Sequence, residues 1–232
     1  MKSIFILFPA ILMSSILYGQ TENEAINNDS AHIRLWTKYP GYVVTKDNDT
    51  VKGYLMLKNL IANQDKVFFY HDKDTDKGEA VKYKPKQLKA YKVGPRYYES
   101  YKFKPPVASY STNDAKTYHF VLKVIDGPIS LYKWFYEPTE RSEERVKIDT
   151  SDILNSKIDL TFSETGLESV TFIKKFDGEL TSFGLGFKKK MSKIVSDDKE
   201  LSKKILNKEK GYRSWDLEKI VKEYNNWYLK NK

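Results

Sequence analysis

The 232-residue chain contains no cysteine and only three histidines, His32, His71 and His119. Without a thiol it cannot form a disulfide, a thiolate zinc site, an iron–sulfur cluster or a cysteine nucleophile. The histidines lie so far apart that a multi-histidine metal site would need the fold to gather nearly all of them. After Leu17 no stretch approaches eighteen consecutive apolar residues, so no second membrane-spanning helix is predicted.

The first nineteen residues have the composition of a secretory leader. Lys2 supplies one positive charge, an uncharged run extends from residue 3 to residue 17, and Gly19 is a small residue at the expected cleavage point. We therefore predict a signal peptide over residues 1–19 and a mature chain beginning at Gln20, secreted to the periplasm or the outer surface. The alternative is an uncleaved membrane anchor, although the apolar run is shorter than the roughly twenty residues that a spanning helix needs.

Composition divides the mature chain into three parts. Residues 20–35 are polar and without period, which is typical of a disordered lead-in. Residues 36–183 contain short runs of Tyr, Phe, Val and Ile between clusters of Asp, Asn, Gly and Pro, which predicts antiparallel strands joined by turns. Residues 184–232 are basic and follow a helical period. The predicted fold class is α+β, with an antiparallel domain that is a sandwich, a curled sheet or a partly open barrel, and a helical tail packed on it.

Four pairs of strand-like segments flank short polar turns. In the clearest pair, residues 118–125 and 129–136 flank Asp126-Gly127-Pro128, and alternation places Tyr118, Phe120, Leu122 and Val124 on one face. The other predicted hairpins join 42–45 to 50–55, 67–70 to 79–83, and 170–173 to 180–183. Tyrosine and phenylalanine crowd residues 91–120, where core packing is the favoured interpretation and stacking on sugars the alternative.

Apolar residues recur at helical spacing in three segments after Gly186. The first begins at Phe187, the second is predicted to have an N-cap at Asp197 with Glu200 completing a capping box, and Ser214 is the predicted N-cap of the third. These helices need a surface to cover, which the sheet or a partner would supply.

Positive charge is concentrated in the same region. Residues 174–232 contain 16 Lys and Arg against nine Asp and Glu, so they carry +7 of the net charge of +9. The candidate contacts to an anionic surface are Lys188, Lys189, Lys190 and Lys193. Because export argues against nucleic acid, the expected partners are anionic lipid, acidic polysaccharide or another envelope protein. The alternative is that these lysines serve only solubility on the wet face of amphipathic helices.

Recognisable metal and catalytic patterns are weak or missing. Asp72, Asp74 and Asp76 have the spacing of the first three ligands of a calcium loop, but Lys77 stands where glycine is required and Tyr83 where a bidentate glutamate is required. These aspartates are at most weak metal candidates, and a solvated hairpin loop is the better interpretation. His119 has no acid or hydroxyl set beside it by local spacing, so we predict no catalytic residue and no cofactor.

Two patches resemble a known kind of protein. Gly41-Tyr42-Val43-Val44-Thr45, followed by Asp49-Thr50-Val51-Lys52-Gly53-Tyr54, resembles the opening hairpin of a family of exported β-rich envelope proteins of Gram-negative bacteria. Phe187-Lys188-Lys189 and the closing Ile220-Val221-Lys222-Glu223-Tyr224-Asn225 are similar to its helical ending. The resemblance implies an envelope location and no activity.

The leading hypothesis for function is therefore a non-enzymatic binding or structural module of the cell envelope. One alternative is a curled sheet that carries a lipid or other apolar ligand, which requires an apolar internal pocket of several hundred Å³. A second alternative is a glycan hydrolase, which requires two acids facing each other roughly 5 to 10 Å apart across a cleft.

Overall fold

The computed structural model describes residues 34–105, 116–138, 166–184 and 186–231. The predicted signal peptide at 1–19 and nearly all of the predicted lead-in at 20–35 lie outside the described residues. Within the described ranges, no helix combines the length and apolarity needed to cross a membrane.

Strands and helices occupy most of these ranges. The strands are β1 Thr37–Thr45, β2 Thr50–Leu57, β3 Val67–Tyr70, β4 Val81–Tyr83, β5 Leu88–Val93, β6 Arg96–Phe103, β7 Thr117–Ile125, β8 Ile129–Tyr136, β9 Glu168–Lys175 and β10 Thr181–Ser182. The α-helices are α1 Leu60–Asp65, α2 Phe187–Ile194, α3 Lys199–Leu206 and α4 Leu217–Asn231.

All ten described strands belong to one open sheet, in the order β10-β9-β8-β7-β6-β5-β1-β2-β3-β4. Every neighbouring pair is antiparallel. The predicted α+β class, with an antiparallel sheet followed by a helical segment, is confirmed. The four predicted hairpins are present as β1–β2, β3–β4, β7–β8 and β9–β10, whereas the β5–β6 hairpin and α1 are not predicted by the sequence pattern.

Helix α1 shows that the sheet curls. It follows β2 in the chain but packs on β7 and β8, from which β2 is separated in the sheet by β1, β5 and β6. Gln64 of α1 donates an amide hydrogen to the carbonyl of Phe135 at 2.9 Å and accepts the Phe135 N–H at 2.6 Å. The described strands thus form a single curled sheet with α1 against its open side, rather than the two packed sheets of a sandwich.

The space inside the curl is filled by aromatic and aliphatic side chains. Tyr91 stacks on Tyr98 with ring centroids 4.8 Å apart and meets Phe120 edge-on at 4.8 Å. These three rings are fully buried, and Leu122 packs against the same cluster. On the predicted face of β7, Phe120 and Leu122 therefore lie in the core and Tyr118, at the start of the strand, is 38% exposed, while Val121 on the opposite face is fully buried as well. For these rings core packing holds, and they offer no surface to a sugar.

A second core joins the helices to β8 and β9. It is formed by Ile129, Leu131 and Ile173 of the sheet with apolar residues of α2, α3 and α4. The side chain of Asn225 in α4 donates to the carbonyl of Ile129 at 2.9 Å and accepts its N–H at 2.8 Å. Gly127 has φ +149°, and a Cβ there would lie 2.6 Å from the Asn225 amide nitrogen. The glycine is required both by its backbone conformation and by the close approach of α4.

Two predicted helix starts are wrong in detail. Asp198, not Asp197, is the N-cap of α3, and its carboxylate accepts the Leu201 N–H at 3.0 Å. Asp197 instead accepts hydrogen bonds from Lys175 at 2.8 Å and from the Tyr224 hydroxyl at 2.6 Å. Ser214 begins a short 3₁₀ turn that precedes α4, and makes no capping bond. Local spacing assigns Asp197 to a helix cap, but in the structure Asp197 links Tyr224 of α4 to Lys175 of β9.

Candidate functional site

The acidic side chains of the helical segment are nearly all engaged in structural bonds. Six of the seven Asp and Glu residues in the described part of 184–232 bind a cation, a hydroxyl or a backbone N–H. These six are Asp197, Asp198, Glu200, Asp216, Glu218 and Glu223. Among the cations of the same segment, only Lys204 takes part in an ion pair between described residues. The excess positive charge is therefore not neutralised within the described part of the chain.

Three lysines of α2 form one exposed surface, which we call the lysine face. Lys189, Lys190 and Lys193 are exposed, whereas Met191 and Ser192 are buried. Successive residues of a helix are rotated by about 100°, so positions 189, 190 and 193 share one side. No carboxylate of the described residues lies within ion-pair distance of these ammonium groups. The first turn of α2 has no acid, and its N-cap Gly186 supplies no capping side chain.

Lys188, the fourth predicted contact, points elsewhere. It is half-buried and lines an open cleft of about 550 Å³ between the start of α2, the end of α3 and the turn before α4. We call this the basic cleft; it is lined by Gly186, Phe187, Lys188, Ile205, Lys208, Tyr212, Arg213, Ser214 and Trp215. Its lining contains three cations and three aromatic rings but no carboxylate. The structure thus brings three predicted lysines together on one face and places the fourth in an adjoining cleft.

Trp215 stands on the rim of the basic cleft, and 74% of its side-chain surface is exposed. The Arg213 guanidinium carbon lies 5.3 Å from the centroid of the indole ring. Trp215 also lines a second open cleft of about 740 Å³, on the side of β8 and β9. In that cleft Lys133 and Glu218 form an ion pair at 2.7 Å. The Trp215 ring therefore lies between the two clefts, and charged and hydroxyl groups line both of them.

Local bonds hold the turn that carries Trp215. Asp216 accepts the backbone N–H of Arg213 at 3.0 Å, and its own N–H donates to the Arg213 carbonyl at 2.9 Å. The preceding Tyr212 donates its hydroxyl to Glu223 of α4 at 3.1 Å, and the Lys219 ammonium lies 4.2 Å from the Tyr212 ring centroid. Because the backbone before and after the tryptophan is bonded, the indole is held in place without being buried.

The curled sheet contains a second cluster of charges and aromatic rings, which serves as a contrast. Lys123 of β7 binds Glu99 of β6 at 2.6 Å, and both side chains are 17% exposed. The other oxygen of Glu99 accepts a hydrogen bond from the Tyr132 hydroxyl at 3.1 Å and one from the Tyr101 hydroxyl. Tyr97 lies under the Lys123 ammonium at 4.9 Å. Every charge in this cluster has a protein partner.

The pKa values in this cluster reflect its burial. Burial raises the pKa of Tyr97 and of Tyr132 to about 12 in each case, with the negative charge of Glu99 acting in the same direction. Burial alone would lower the pKa of Lys123, but the hydrogen bond and charge of Glu99 outweigh it and raise that pKa. All these shifts favour the protonation states already present at neutral pH, so Tyr97, Tyr132 and Lys123 stay protonated there.

The weak metal candidates do not converge. Within the part of the chain that the structure describes, no three His, Asp or Glu side chains are grouped so that they could hold a metal ion. The loop containing Asp72, Asp74 and Asp76 is instead bound by Lys38, whose ammonium donates to the carbonyls of Lys73, at 2.8 Å, and Thr75. The ammonium binds carbonyl oxygens of the kind that a calcium ion would use in such a loop.

His119 lies in β7 among rings, with Phe103 at 4.8 Å and Trp134 at 5.6 Å between centroids. Its Nε2 is 2.8 Å from the Thr117 hydroxyl, and burial lowers its pKa. The nearby charge of Asp65 acts in the opposite direction and is the weaker influence. No carboxylate of the described residues hydrogen-bonds to the imidazole, so the orienting acid of a triad is not found there.

Trp215 is the feature that sequence analysis misses. The one available signal is its position, since it precedes the apolar stripe of α4 that begins at Leu217 and does not share its spacing. A tryptophan outside the stripe has no predicted core to enter.

Comparison of the chain with protein-family models, with curated proteins and with solved structures finds no match to it.

Proposed function

We propose that the protein is a non-enzymatic, exported binding module of the cell envelope, whose helical segment binds a polyanionic partner through the lysine face and the basic cleft. The observation that carries the proposal is the unequal use of charge. Six of the seven acids in the described part of the segment are bonded to a cation, a hydroxyl or a backbone N–H, whereas Lys188, Lys208 and Arg213 meet in one cleft without a carboxylate. Cations held this way concentrate positive potential that an anionic ligand would neutralise.

The two alternative functions receive less support from the geometry. For a carrier of apolar ligands, the inside of the curl would have to be open, but it is packed with Tyr91, Tyr98 and Phe120. For a glycan hydrolase, the acids of the larger cleft would have to be available, but Asp216 is bonded to the Arg213 N–H and Glu218 to Lys133. We therefore favour a binding function over catalysis.

Polyanion binding can be tested with the purified protein and three probes. The probes are polyacrylate, polygalacturonate, and vesicles containing phosphatidylglycerol, each with a neutral counterpart. We expect binding to the anionic probes alone, with affinity falling steeply as salt is added, because exposed charges are screened beyond about 8 Å at physiological ionic strength.

The location of the surface can be tested with two triple variants of equal charge. Lys189→Gln, Lys190→Gln and Lys193→Gln together remove the lysine face, and Lys199→Gln, Lys203→Gln and Lys222→Gln remove three other exposed lysines of the segment. We expect the first set to weaken binding several times more than the second. Equal losses would mean that net charge and not this surface matters, and absence of binding at low salt would refute the proposal.

A further inference from the structure

The rim of the basic cleft combines an exposed ring with three unneutralised cations, and the chemistry of this combination narrows the ligand. Trp215 lies beside Arg213, with Lys188 and Lys208 in the same lining. Trp215 stays 74% exposed, although an indole is among the side chains that gain most from burial in a core. The bonds of Asp216 hold the turn in place while the ring stays exposed.

We infer that the ligand of the basic cleft is an acidic polysaccharide, with one sugar ring stacked on Trp215 and its acidic groups paired with Lys188, Lys208 and Arg213. This inference rests on the proposed binding of a polyanion and specifies its class. A sugar ring presents an apolar face of C–H groups to the electron-rich face of an indole, while its carboxylate or sulfate remains free for the cations. The volume of about 550 Å³ lies in the usual range for sites of small ligands.

The position of the ring favours a chain over a single sugar. Trp215 borders both the basic cleft and the 740 Å³ cleft, so a linear ligand stacked on the ring would extend into a groove on each side. The second groove offers Thr171, Ser169 and the Lys133–Glu218 pair as hydrogen-bonding groups. Hydroxyl-rich sugar units match such a polar lining better than acyl chains do.

A lipid surface fits the same site less well. A membrane-binding surface brings several apolar side chains together so that they enter the bilayer interface side by side. Besides Trp215, the exposed large apolar side chains in the described part of the segment are Leu206, at the end of α3, and Leu229 of α4. Leu229 lies twelve residues beyond the start of its helix, about 18 Å away at 1.5 Å per residue. Leu229 is therefore far from Trp215, and the cleft that Trp215 borders is lined by Lys188, Lys208 and Arg213.

The test compares two polycarboxylates, of which only one has sugar rings. Polygalacturonate and polyacrylate are titrated into the protein and into Trp215→Ala at low ionic strength, with binding followed by calorimetry. We expect Trp215→Ala to weaken polygalacturonate binding about tenfold and to leave polyacrylate binding unchanged, because only the sugar stacks on the ring. The matched control is Trp36→Ala, which removes another exposed tryptophan, at 54% exposure, outside the cleft. It should change neither affinity.

The outcomes separate this inference from the proposed function. Equal affinity of Trp215→Ala and the parent protein for polygalacturonate would overturn the sugar assignment, while salt-sensitive binding of polyacrylate would leave the polyanion proposal standing. Binding to phosphatidylglycerol vesicles without binding to polygalacturonate would also overturn it, in favour of a lipid. No binding to any anionic probe would refute the proposed function itself.

Discussion

Lysines next to aromatic rings occur in both the curled sheet and the helical segment, but with opposite consequences. In the sheet, Lys123 lies against Tyr97 and is neutralised by Glu99 at 2.6 Å. In the segment, Lys188 and Arg213 lie in a cleft with Phe187, Tyr212 and Trp215, and no carboxylate lines that cleft. The two regions therefore differ in the chemical partner of the cation and not in the presence of cations and rings: a carboxylate neutralises Lys123, and none lines the basic cleft.

The two regions differ in this way only while the helical segment is fixed to the sheet, and removing the Asn225 bonds that fix it should have the largest effect on stability. Asn225→Leu would leave the buried N–H and carbonyl of Ile129 without partners, so we expect the free energy of unfolding to fall by about 4 kcal/mol. Urea unfolding measures it. Asn226→Leu, at the next, exposed position of α4, is the control and should change it by less than about 0.5 kcal/mol. A similar small loss for Asn225→Leu would mean that the amide does not anchor α4.

Removing the carboxylate of Glu99, which neutralises Lys123 in the sheet cluster, should have the next largest effect on stability. Glu99→Gln leaves the Lys123 ammonium with only the exposed Asp126, so we expect a loss of about 2 to 3 kcal/mol in urea unfolding. Adding Lys123→Met should restore most of it, because the uncompensated charge is then removed. The control is Glu168→Gln, which alters an exposed carboxylate bonded to Tyr136. If the single variant is as stable as this control, the cluster is not stabilising.

The third prediction concerns alkaline pH, where the tyrosines of the cluster titrate. The folded pKa values of Tyr97 and Tyr132, about 12, exceed the unfolded value of 10.0, so unfolding releases protons above pH 10. Stability from these groups is complete below pH 10 and is lost progressively as the pH rises to about 12. We expect the midpoint of urea unfolding to fall across this window, and Tyr132→Phe to reduce the slope. A slope unchanged by the substitution would contradict the assignment.

The smallest predicted effect has opposite signs for stability and for binding. Lys189→Glu places an acid in the first turn of α2, where the helix dipole favours it, so we expect the protein to gain about 0.5 kcal/mol of stability while polyanion binding weakens. Lys203→Glu, in the last turn of α3, should lose a similar amount of stability. If both variants shift stability in the same direction, the helix dipole does not set the effect of charge at these two positions.

Local patterns predict much of the secondary structure. Alternation identifies four hairpins, and the 3.6-residue period locates α2, α3 and α4 to within a few residues. Helix α1 escapes prediction because its six residues are too few to show a period. Asp197 is misassigned because spacing identifies an acid near a helix start but not the lysine and tyrosine that the sheet and α4 bring to it.

The candidate site, like the secondary structure, can be predicted from the sequence only in part. The excess of lysine over acid in the last third of the chain is visible in the sequence, and it is the basis for predicting Lys188, Lys189, Lys190 and Lys193 as contacts to an anionic surface, which stays a prediction. The sequence cannot separate Lys188 from its neighbours, because entry into the cleft depends on how α2 packs beside α3 and the turn before α4. The position of Trp215 at the cleft is not predicted, because it depends on the same packing.

The sequence by itself determined the fold class, the order of the hairpins and the location of the positive charge, because each is a property of neighbours along the chain. Only the tertiary structure decided how the sheet curls around α1, which acids are consumed by anchoring, and which cations remain beside an exposed ring. These depend on contacts between residues far apart in sequence, such as Gln64 with Phe135 and Asn225 with Ile129. The spacing of residues along the chain carries no information about such contacts.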